Sequence, residues 1–271
     1  MKKLLIPTLV VLFCSCDKDD PKPGTSSEDA LNALSEYVIV NKVFQDIGNN
    51  NGDAVLSAES STSTAKAKLG ETVAMDTEIT IAPADFSTFP KTITVDFKTG
   101  VLGVDGVTRK GKITIVSTNW YGEPGSIHTA TFTDYYHNDY KVEGTHVVEN
   151  IGENTDGYLE YDVVIQNGKI TKQDGSVIEY QENSTRTWIE GKDTPLNIWD
   201  DEYLLDGSQN GTSSSGLDYT LTVEESLHFV LLPRNIESGI LDVDIADFKD
   251  IKINYANSTI TILGQTYPFV K

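Results

Sequence analysis

The side chains that could carry chemistry in this sequence are carboxylates, four histidines, and a set of tryptophans and tyrosines. A serine nucleophile would need a Gly-x-Ser-x-Gly turn, and that sequence does not occur. No glycine-rich loop leads into a helix, as a phosphate site would require. Carboxylates are so abundant that a pair at glycosidase spacing could arise almost anywhere, and the pattern indicates nothing by itself. The sequence therefore predicts a protein that is not an enzyme and has no cofactor.

Histidines and acidic clusters are the candidates for a metal site. His128, His137 and His146 recur at intervals of nine residues, which could bring them together on adjacent strands. Neither an HExxH motif nor paired cysteines accompany them, so we interpret them as surface histidines. Asp242 and Asp244 could hold calcium, but they alternate with apolar residues, as the outward face of a strand would. No metal site is predicted.

Aromatic residues give the one hint of a binding site. Exposed tryptophan and tyrosine present flat apolar faces with a polar edge, which suits sugar rings or protein partners. Six such residues lie near predicted strand ends and turns, and they are the candidate ligand-binding residues: Trp120, Tyr121, Tyr135, Tyr136, Trp188 and Trp199. The pair Trp120–Tyr121 is the first choice, because the tip of a turn is hard to bury. Ordinary core or edge packing is the competing interpretation.

The elements that must position these residues are strands. From Arg109 to Glu190 the sequence alternates, and within 159–165 the apolar residues fall on one face and the acidic residues on the other. The pairs Asn167–Gly168 and Asp174–Gly175 predict hairpin turns. Connections this short leave no room for a crossover helix, so neighbouring strands should pair antiparallel in chain order.

One helix is expected before the strands. Ser26 followed by Asp29 is a helix start, apolar residues then recur near helical spacing, and Gly48 should end the helix, which is predicted over 28–47. The run Asn49–Asp53 is interpreted as a turn, because it does not fit a calcium-loop pattern.

The whole chain has 271 residues. Its strand signals resume at Glu202, after a predicted loop from Gly191 to Asp200. About a dozen strands with one helix predict an all-β fold, a large curved antiparallel meander sheet or open barrel folded over the helix. A β-sandwich is the alternative. Residues 28–271 are predicted to form a single β-rich domain.

The first residues predict a signal peptide, over 1–15. Lys2 and Lys3 precede an apolar segment that is too short to span a bilayer, and Ser15–Cys16 follows. This arrangement resembles the lipobox of bacterial lipoproteins, and the resemblance implies cleavage before Cys16 and lipid on that residue. An ordinary signal peptide would instead leave Cys16 as a single cysteine without a disulfide partner. Residues 16–27 then form a lipid-anchored polar linker.

A short charged motif predicts the destination. Lys18, Asp19 and Asp20 resemble the surface-export signal of Bacteroidota lipoproteins, which sends proteins to the outer face of the outer membrane. Without Lys2 and Lys3, 19 basic residues remain against 41 acidic ones, a net charge of −22. That field repels nucleic acid and anionic headgroups, so neither is an expected partner. Contact with the membrane is expected through the N-terminal lipid alone.

Two further blocks resemble a group of uncharacterised Bacteroidota surface lipoproteins. The segments Pro90–Gly100 and Asp105–Ile113 are similar to their TITIDFGTG and RKGKI block, and Tyr135–Thr145 is similar to their NYxVNxxKVEGT block. The likeness runs from about Phe89 to the C terminus. Many members carry a cysteine where this chain has Val101, so any bridge made there would be absent. The resemblance implies kinship and no activity.

Together these features predict a non-catalytic outer-membrane surface lipoprotein that acts as a binding or assembly module for a glycan or a surface protein. The expected sign is a contiguous patch of exposed aromatic residues. One alternative is a carrier whose curved sheet encloses an apolar ligand, which requires a concave face that the helix leaves empty. The other is a hydrolase, which requires two or three polar residues converging in a cleft with shifted pKa values.

Overall fold

The computed structural model describes residues 24–60, 77–103, 105–191, 194, 200–231, 234–262 and 264–268. Within them lie one helix and fourteen strands. The predicted signal peptide, the lipidation residue and the export signal lie outside the described residues, so they stay predictions. No helix of the described ranges combines the length with the apolar character that crossing a bilayer would require.

Helix α1, Ser27–Ser60, begins where the sequence predicts and ends well beyond it. Ser26 caps it: its hydroxyl accepts a hydrogen bond from the Asp29 amide at 3.1 Å and donates one to the Asp29 carboxylate at 2.6 Å. The predicted end at Ile47 is wrong, because the helix continues through Gly48 and the asparagines. Those residues have low helix propensity, but enclosure by the sheet stabilises them in the helix.

The strands form one antiparallel sheet in which each pairs with the next along the chain, except that β3 pairs only with β4 and β2 also pairs with β4. They are β1 Glu78–Ala82, β2 Lys91–Asp96, β3 Val101–Leu102, β4 Thr108–Ser117, β5 Ile127–His137, β6 Tyr140–Glu153, β7 Leu159–Thr171, β8 Val177–Glu190, β9 Glu202–Thr212, β10 Asp218–Leu231, β11 Arg234–Ile245, β12 Phe248–Asn254, β13 Thr259–Ile262 and β14 Gln265–Pro268. The first and last strands do not pair with each other, so the sheet is open. The all-β meander around one helix is confirmed, and a β-sandwich is excluded.

One predicted hairpin is wrong. Strand β7 runs straight through Asn167–Gly168, where the pairing with β8 shifts register. Asn167 has a positive φ of 52°, which a hairpin turn of this type would also require, but it forms a bulge and not a turn. Asp174–Gly175 is the true turn between β7 and β8, as predicted: the Lys172 amide donates to the Ser176 carbonyl at 2.9 Å.

Bulges recur on neighbouring strands and curve the sheet. Gly111 on β4, Asp134 on β5, Gly144 on β6 and Asn167 on β7 all have positive φ, and each lies at a register shift. A bulge bends its strand and increases the local twist, so four of them in a row bend the sheet around an axis. Helix α1 lies along the concave side that results.

The core lies between this concave face and the helix. Phe44 is fully buried and stacks on Tyr180 of β8, with ring centroids 5.3 Å apart and planes 13° apart. Nearer the start of the helix, Tyr37 packs edge-on against Tyr219 and donates a hydrogen bond to Gln209 at 2.6 Å. The apolar residues that recur at helical spacing therefore pack on the concave face of the sheet.

Most residues in the second half of the helix are buried, including polar ones. Buried polar residues there are Gln45, Asp46, Asn50, Asn51 and Asp53. Buried polar groups in a helix need partners outside it, and Asp46 lies 3.3 Å from His137 of β5. This half of α1 therefore packs into an interior that is partly polar, and the candidate site lies there.

Candidate functional site

A cavity of about 80 Å³ separates the second half of α1 from strands β6 to β9. Residues from the helix, from the turn between β4 and β5 and from several strands converge on it, and its lining includes Gly48, Gly52, Asp53, Tyr121, Tyr161, Arg186, Trp188, Asp201 and Tyr203. Asn49, Leu56 and Trp188 contribute to the lining and are partly exposed. The cavity therefore combines aromatic rings, a guanidinium and two carboxylates.

Two glycines of the helix create the space. Gly48 and Gly52 are four residues apart, so they lie on the same face of α1. A Cβ on Gly48 would lie 3.1 Å from Nε2 of His146 and 3.6 Å from Nη1 of Arg186, and one on Gly52 would lie 3.6 Å from the Tyr121 hydroxyl. Gly48, which predicted the end of the helix, and Gly52, from the predicted turn, instead let side chains of the sheet approach the helix backbone.

Three aromatic rings line one side of the cavity. Tyr121 stacks on Tyr161 with centroids 5.0 Å apart, and Tyr161 lies 6.4 Å from Trp188. The turn that carries Tyr121 folds back over the interior, where the Asn150 side chain donates to its carbonyl at 3.1 Å. Burial raises the pKa of the Tyr121 hydroxyl to about 12, so it stays a neutral hydrogen-bonding group.

The charged groups of the cavity are Arg186, Asp201 and Asp53. Arg186 follows Ser184 on the inward face of β8, and its guanidinium lies 5.3 Å from the centroid of the Tyr203 ring. Burial acts to lower the pKa of Arg186, but Tyr203 and Glu182 hold it above its ordinary value, so the guanidinium is charged.

Asp201, just before β9, is the titratable group of the cavity. Burial, and then the neighbouring Asp200 carboxylate, raise the pKa of Asp201 to about 7, while the indole of Trp188 acts in the opposite direction. Near neutral pH this side chain is therefore divided between a proton donor and a carboxylate.

This pKa predicts that folding stability depends on Asp201 and on pH. The pKa is raised on folding, so protonated Asp201 stabilises the folded state fully below pH 4, and the stabilisation is lost as pH rises to 7. A shift of that size would correspond to roughly 4 kcal/mol for a fully buried group. Because Asp201 is partly exposed, we expect about 1–2 kcal/mol. In urea denaturation, Asp201→Asn should exceed the natural chain in free energy of unfolding by that amount at pH 8.

The same comparison at pH 4 should show almost no difference, because both chains then carry a neutral side chain at this position. Asp156→Asn, in an exposed turn, is the matched control and should change the free energy of unfolding by less than about 0.5 kcal/mol at either pH. If the difference in free energy of unfolding between Asp201→Asn and the natural chain were the same at pH 4 and pH 8, the raised pKa of Asp201 would be contradicted.

The three regularly spaced histidines are buried, and the prediction that they lie on the surface is wrong. His128 lies 2.9 Å from the Ser117 hydroxyl and 3.2 Å from that of Ser126. Burial lowers the pKa of His128 to about 4 and that of His146 to about 3, so both are neutral. His128 and His137 lie at the two ends of β5, and His146 lies on β6. The bulge at Asp134 shifts the alternation of β5, so both of its histidines are buried. Among the described residues, no group of three or more His, Cys, Asp or Glu side chains could hold a metal ion.

The structure separates the six predicted aromatic residues. Tyr121 and Trp188 line the cavity, whereas Tyr135 is fully buried elsewhere, against Phe97. Trp120 packs on Phe86 and Phe89, with Lys91 over its ring; Tyr136 packs under Lys110. Trp199 lies outside the described residues. The predicted residues that the structure describes do not form the expected single exposed patch, because Tyr121 turns toward the cavity whereas Trp120 packs outside it.

Sequence reasoning missed Arg186, Tyr161, Asp201 and Asp53 as site residues. A signal existed for Arg186, since the alternation of β8 puts it on the same face as Tyr180 and Trp188. An arginine on the inner face of a sheet is unusual and marks a candidate functional residue. Comparison of the chain with protein-family models, curated proteins and solved structures gives no match. The resemblance to Bacteroidota surface lipoproteins therefore stays a prediction.

Proposed function

We propose that this protein is a surface lipoprotein of the outer membrane, anchored through Cys16, that binds the end of a glycan in the cavity between α1 and the sheet. Its role is binding, without catalysis. The anchor and the location rest on the signal peptide, the lipobox and the charged motif Lys18–Asp20. The ligand class rests on the cavity.

The observation that carries the proposal is the meeting of Tyr161 and Trp188 with Arg186 and Asp201 at one cavity. The C–H faces of a sugar ring pack on aromatic rings. Its hydroxyls both donate and accept hydrogen bonds, so they match a carboxylate and a guanidinium at the same time. An apolar ligand would pack on the aromatic rings but would leave Arg186 and Asp201 without hydrogen bonds from the ligand.

The size of the cavity limits how much of the ligand enters. An engineered cavity of about 150 Å³ holds one benzene molecule. The 80 Å³ here is smaller than that, so it admits a substituent and part of a ring. The rest of the sugar would lie over the partly exposed Trp188. We therefore propose recognition of a chain end, and not of an internal segment.

The alternatives fare differently against the same observations. A carrier of an apolar ligand requires an empty concave face, and Phe44, Ile47 and their neighbours on α1 occupy that face. A hydrolase is favoured by one observation, the raised pKa of Asp201 beside a second cavity carboxylate, Asp53. It is the second candidate function.

Calorimetric titration of soluble protein starting at Asp17 with a panel of bacterial and host oligosaccharides tests the proposal. We expect one glycan class to bind. Trp188→Ala should weaken its binding at least tenfold, because the sugar ring loses the indole face on which it packs. Trp120→Ala is the matched control, since Trp120 is outside the cavity lining and should leave affinity unchanged.

Two results would contradict the proposal. One is the absence of binding across the panel. The other is binding that Trp120→Ala removes and Trp188→Ala spares, which would move the site to the outside of the sheet. Release of reducing sugar from any panel member, abolished by Asp201→Asn, would support the hydrolase instead.

A further inference from the structure

The described part of the chain contains two arginines on the inner side of the sheet, the buried Arg109 and the half-buried Arg186, and they differ in their partners. Arg109 on β4 is 2% exposed and forms a bidentate pair with Asp105, with nitrogen–oxygen distances of 2.6 and 3.1 Å. This is the usual arrangement for a buried guanidinium, since a buried charge requires a partner. Arg109 has its partner within the chain.

Arg186 has no such partner. Among the described residues, no carboxylate lies within ion-pair distance of its guanidinium, and its Nε has no hydrogen-bond partner. Its guanidinium lies 5.3 Å from the centroid of the Tyr203 ring, and Glu182 acts on its pKa without forming an ion pair. The side chain lines the cavity, with Nη1 directed toward the bare helix backbone at Gly48. A charged fork with unused donors therefore faces the cavity.

Other polar atoms at the cavity lack a well-aligned partner. The hydroxyl of Tyr161 has none, and Nε1 of Trp188 and a carboxyl oxygen of Asp201 lie near each other without good hydrogen-bond geometry. Together with Nε of Arg186, three donors and one acceptor atom at the described cavity lack a well-aligned partner. A ligand that completes this set brings acceptor atoms and a negative charge.

We propose that the ligand carries a carboxylate that binds Arg186, and that it is an acidic sugar residue of the hexuronate class at a chain end. This inference rests on the proposed glycan function. The guanidinium and a carboxylate are both planar and form two parallel hydrogen bonds, a match that a neutral hydroxyl does not reproduce. A carboxylate with its ring carbon is also a group that a cavity of about 80 Å³ admits.

The charges that oppose this binding are Asp53, Asp201 and the net charge of the whole chain. Burial raises the pKa of Asp201 to about 7, so near neutral pH a fraction of the molecules carries protonated Asp201, which donates a hydrogen bond and does not repel a carboxylate. The net charge of −22 acts from a distance, and at physiological salt the screening length is about 8 Å. Salt does not screen a direct contact between Arg186 and the ligand carboxylate. Their attraction therefore exceeds the repulsion between that carboxylate and the distant acidic residues of the chain.

The test compares matched disaccharides that end in glucuronate, galacturonate, glucose or galactose, titrated into the soluble natural chain. We expect at least one uronate to bind tenfold or more tightly than its neutral counterpart. Arg186→Met should remove this preference, and Arg186→Lys should retain part of it, since the charge remains and the fork is lost. Arg109→Met is the control, because it removes an arginine that lies outside the cavity lining. This variant should prefer uronate over neutral sugar as strongly as the natural chain does.

Equal affinity for uronate and neutral sugar in the natural chain would overturn the carboxylate inference and leave glycan binding intact. A preference that persists in Arg186→Met would overturn it as well. Absence of binding by all four sugars and by the wider panel would overturn both proposals. Circular dichroism would show whether Arg186→Met folds. If it does not fold, the affinities of the natural chain for uronate and for neutral sugar still test whether the ligand carboxylate matters.

Discussion

Replacing Phe44 by alanine should lower the free energy of unfolding by about 3–5 kcal/mol, the usual range for a buried phenylalanine. Phe44 is fully buried, stacks on Tyr180 and contacts Phe132 edge-on, so its loss leaves a cavity between helix and sheet. The surrounding residues cannot move in to fill this cavity easily, because backbone hydrogen bonds between neighbouring strands fix the shape of the sheet. Urea denaturation followed by circular dichroism measures the change.

Val38→Ala, on the same helix, is the matched control. Val38 is 55% exposed, so the substitution should change the free energy of unfolding by less than about 0.5 kcal/mol. Similar losses for Phe44→Ala and Val38→Ala would mean that the helix is not packed against β8 as described. Because α1 carries Gly48, Gly52 and Asp53, its docking is also what assembles the candidate site.

Replacing Gly111 by alanine should lower the free energy of unfolding by roughly 3–5 kcal/mol, through a backbone clash. Gly111 has φ +83° in the bulge of β4, and a Cβ there would lie 2.0 Å from the Asp134 carbonyl oxygen and 2.8 Å from that of Thr133. Neither backbone atom can move without opening the ladder between β4 and β5. The unfavourable φ adds a smaller amount.

Gly175→Ala separates the two contributions. Gly175 has nearly the same φ, +84°, but no atom lies within 4 Å of the position that its Cβ would take. We expect a loss of only about 1–2 kcal/mol there, the cost of the left-handed conformation alone. Thermal or urea unfolding of both variants gives the difference. Equal losses of unfolding free energy in Gly111→Ala and Gly175→Ala would contradict the clash. They would show that the positive φ alone accounts for the effect of the Gly111 substitution.

The two stability predictions bear on function through the curvature of the sheet. The bulges at Gly111 and its neighbours bend the sheet so that β6 to β9 face the second half of α1. A sheet without them would be flatter and would not bring Tyr161, Arg186 and Asp201 around the helix. Variants that weaken the curvature should therefore lose ligand affinity along with stability.

The sequence by itself determined the local conformations. Alternation predicted the inward and outward faces of strands such as β7 and β8, because a strand has a strict period of two. Ser26 with Asp29 predicted the helix start, since the cap is made by residues three apart. Short connections then left antiparallel neighbours in chain order as the simplest topology, and the sheet order is that one.

The tertiary structure alone decided what those local conformations are used for. Positive φ at Asn167 serves a turn or a bulge equally well, and only pairing with β8 selects the bulge. Gly48 ends a helix in water but not inside a sheet that supplies the missing contacts. Arg186, Asp201, Tyr161 and Gly52 are far apart in the chain, and they meet because fourteen strands bend around one helix. No local rule encodes that meeting, since it depends on the sum of many small bends.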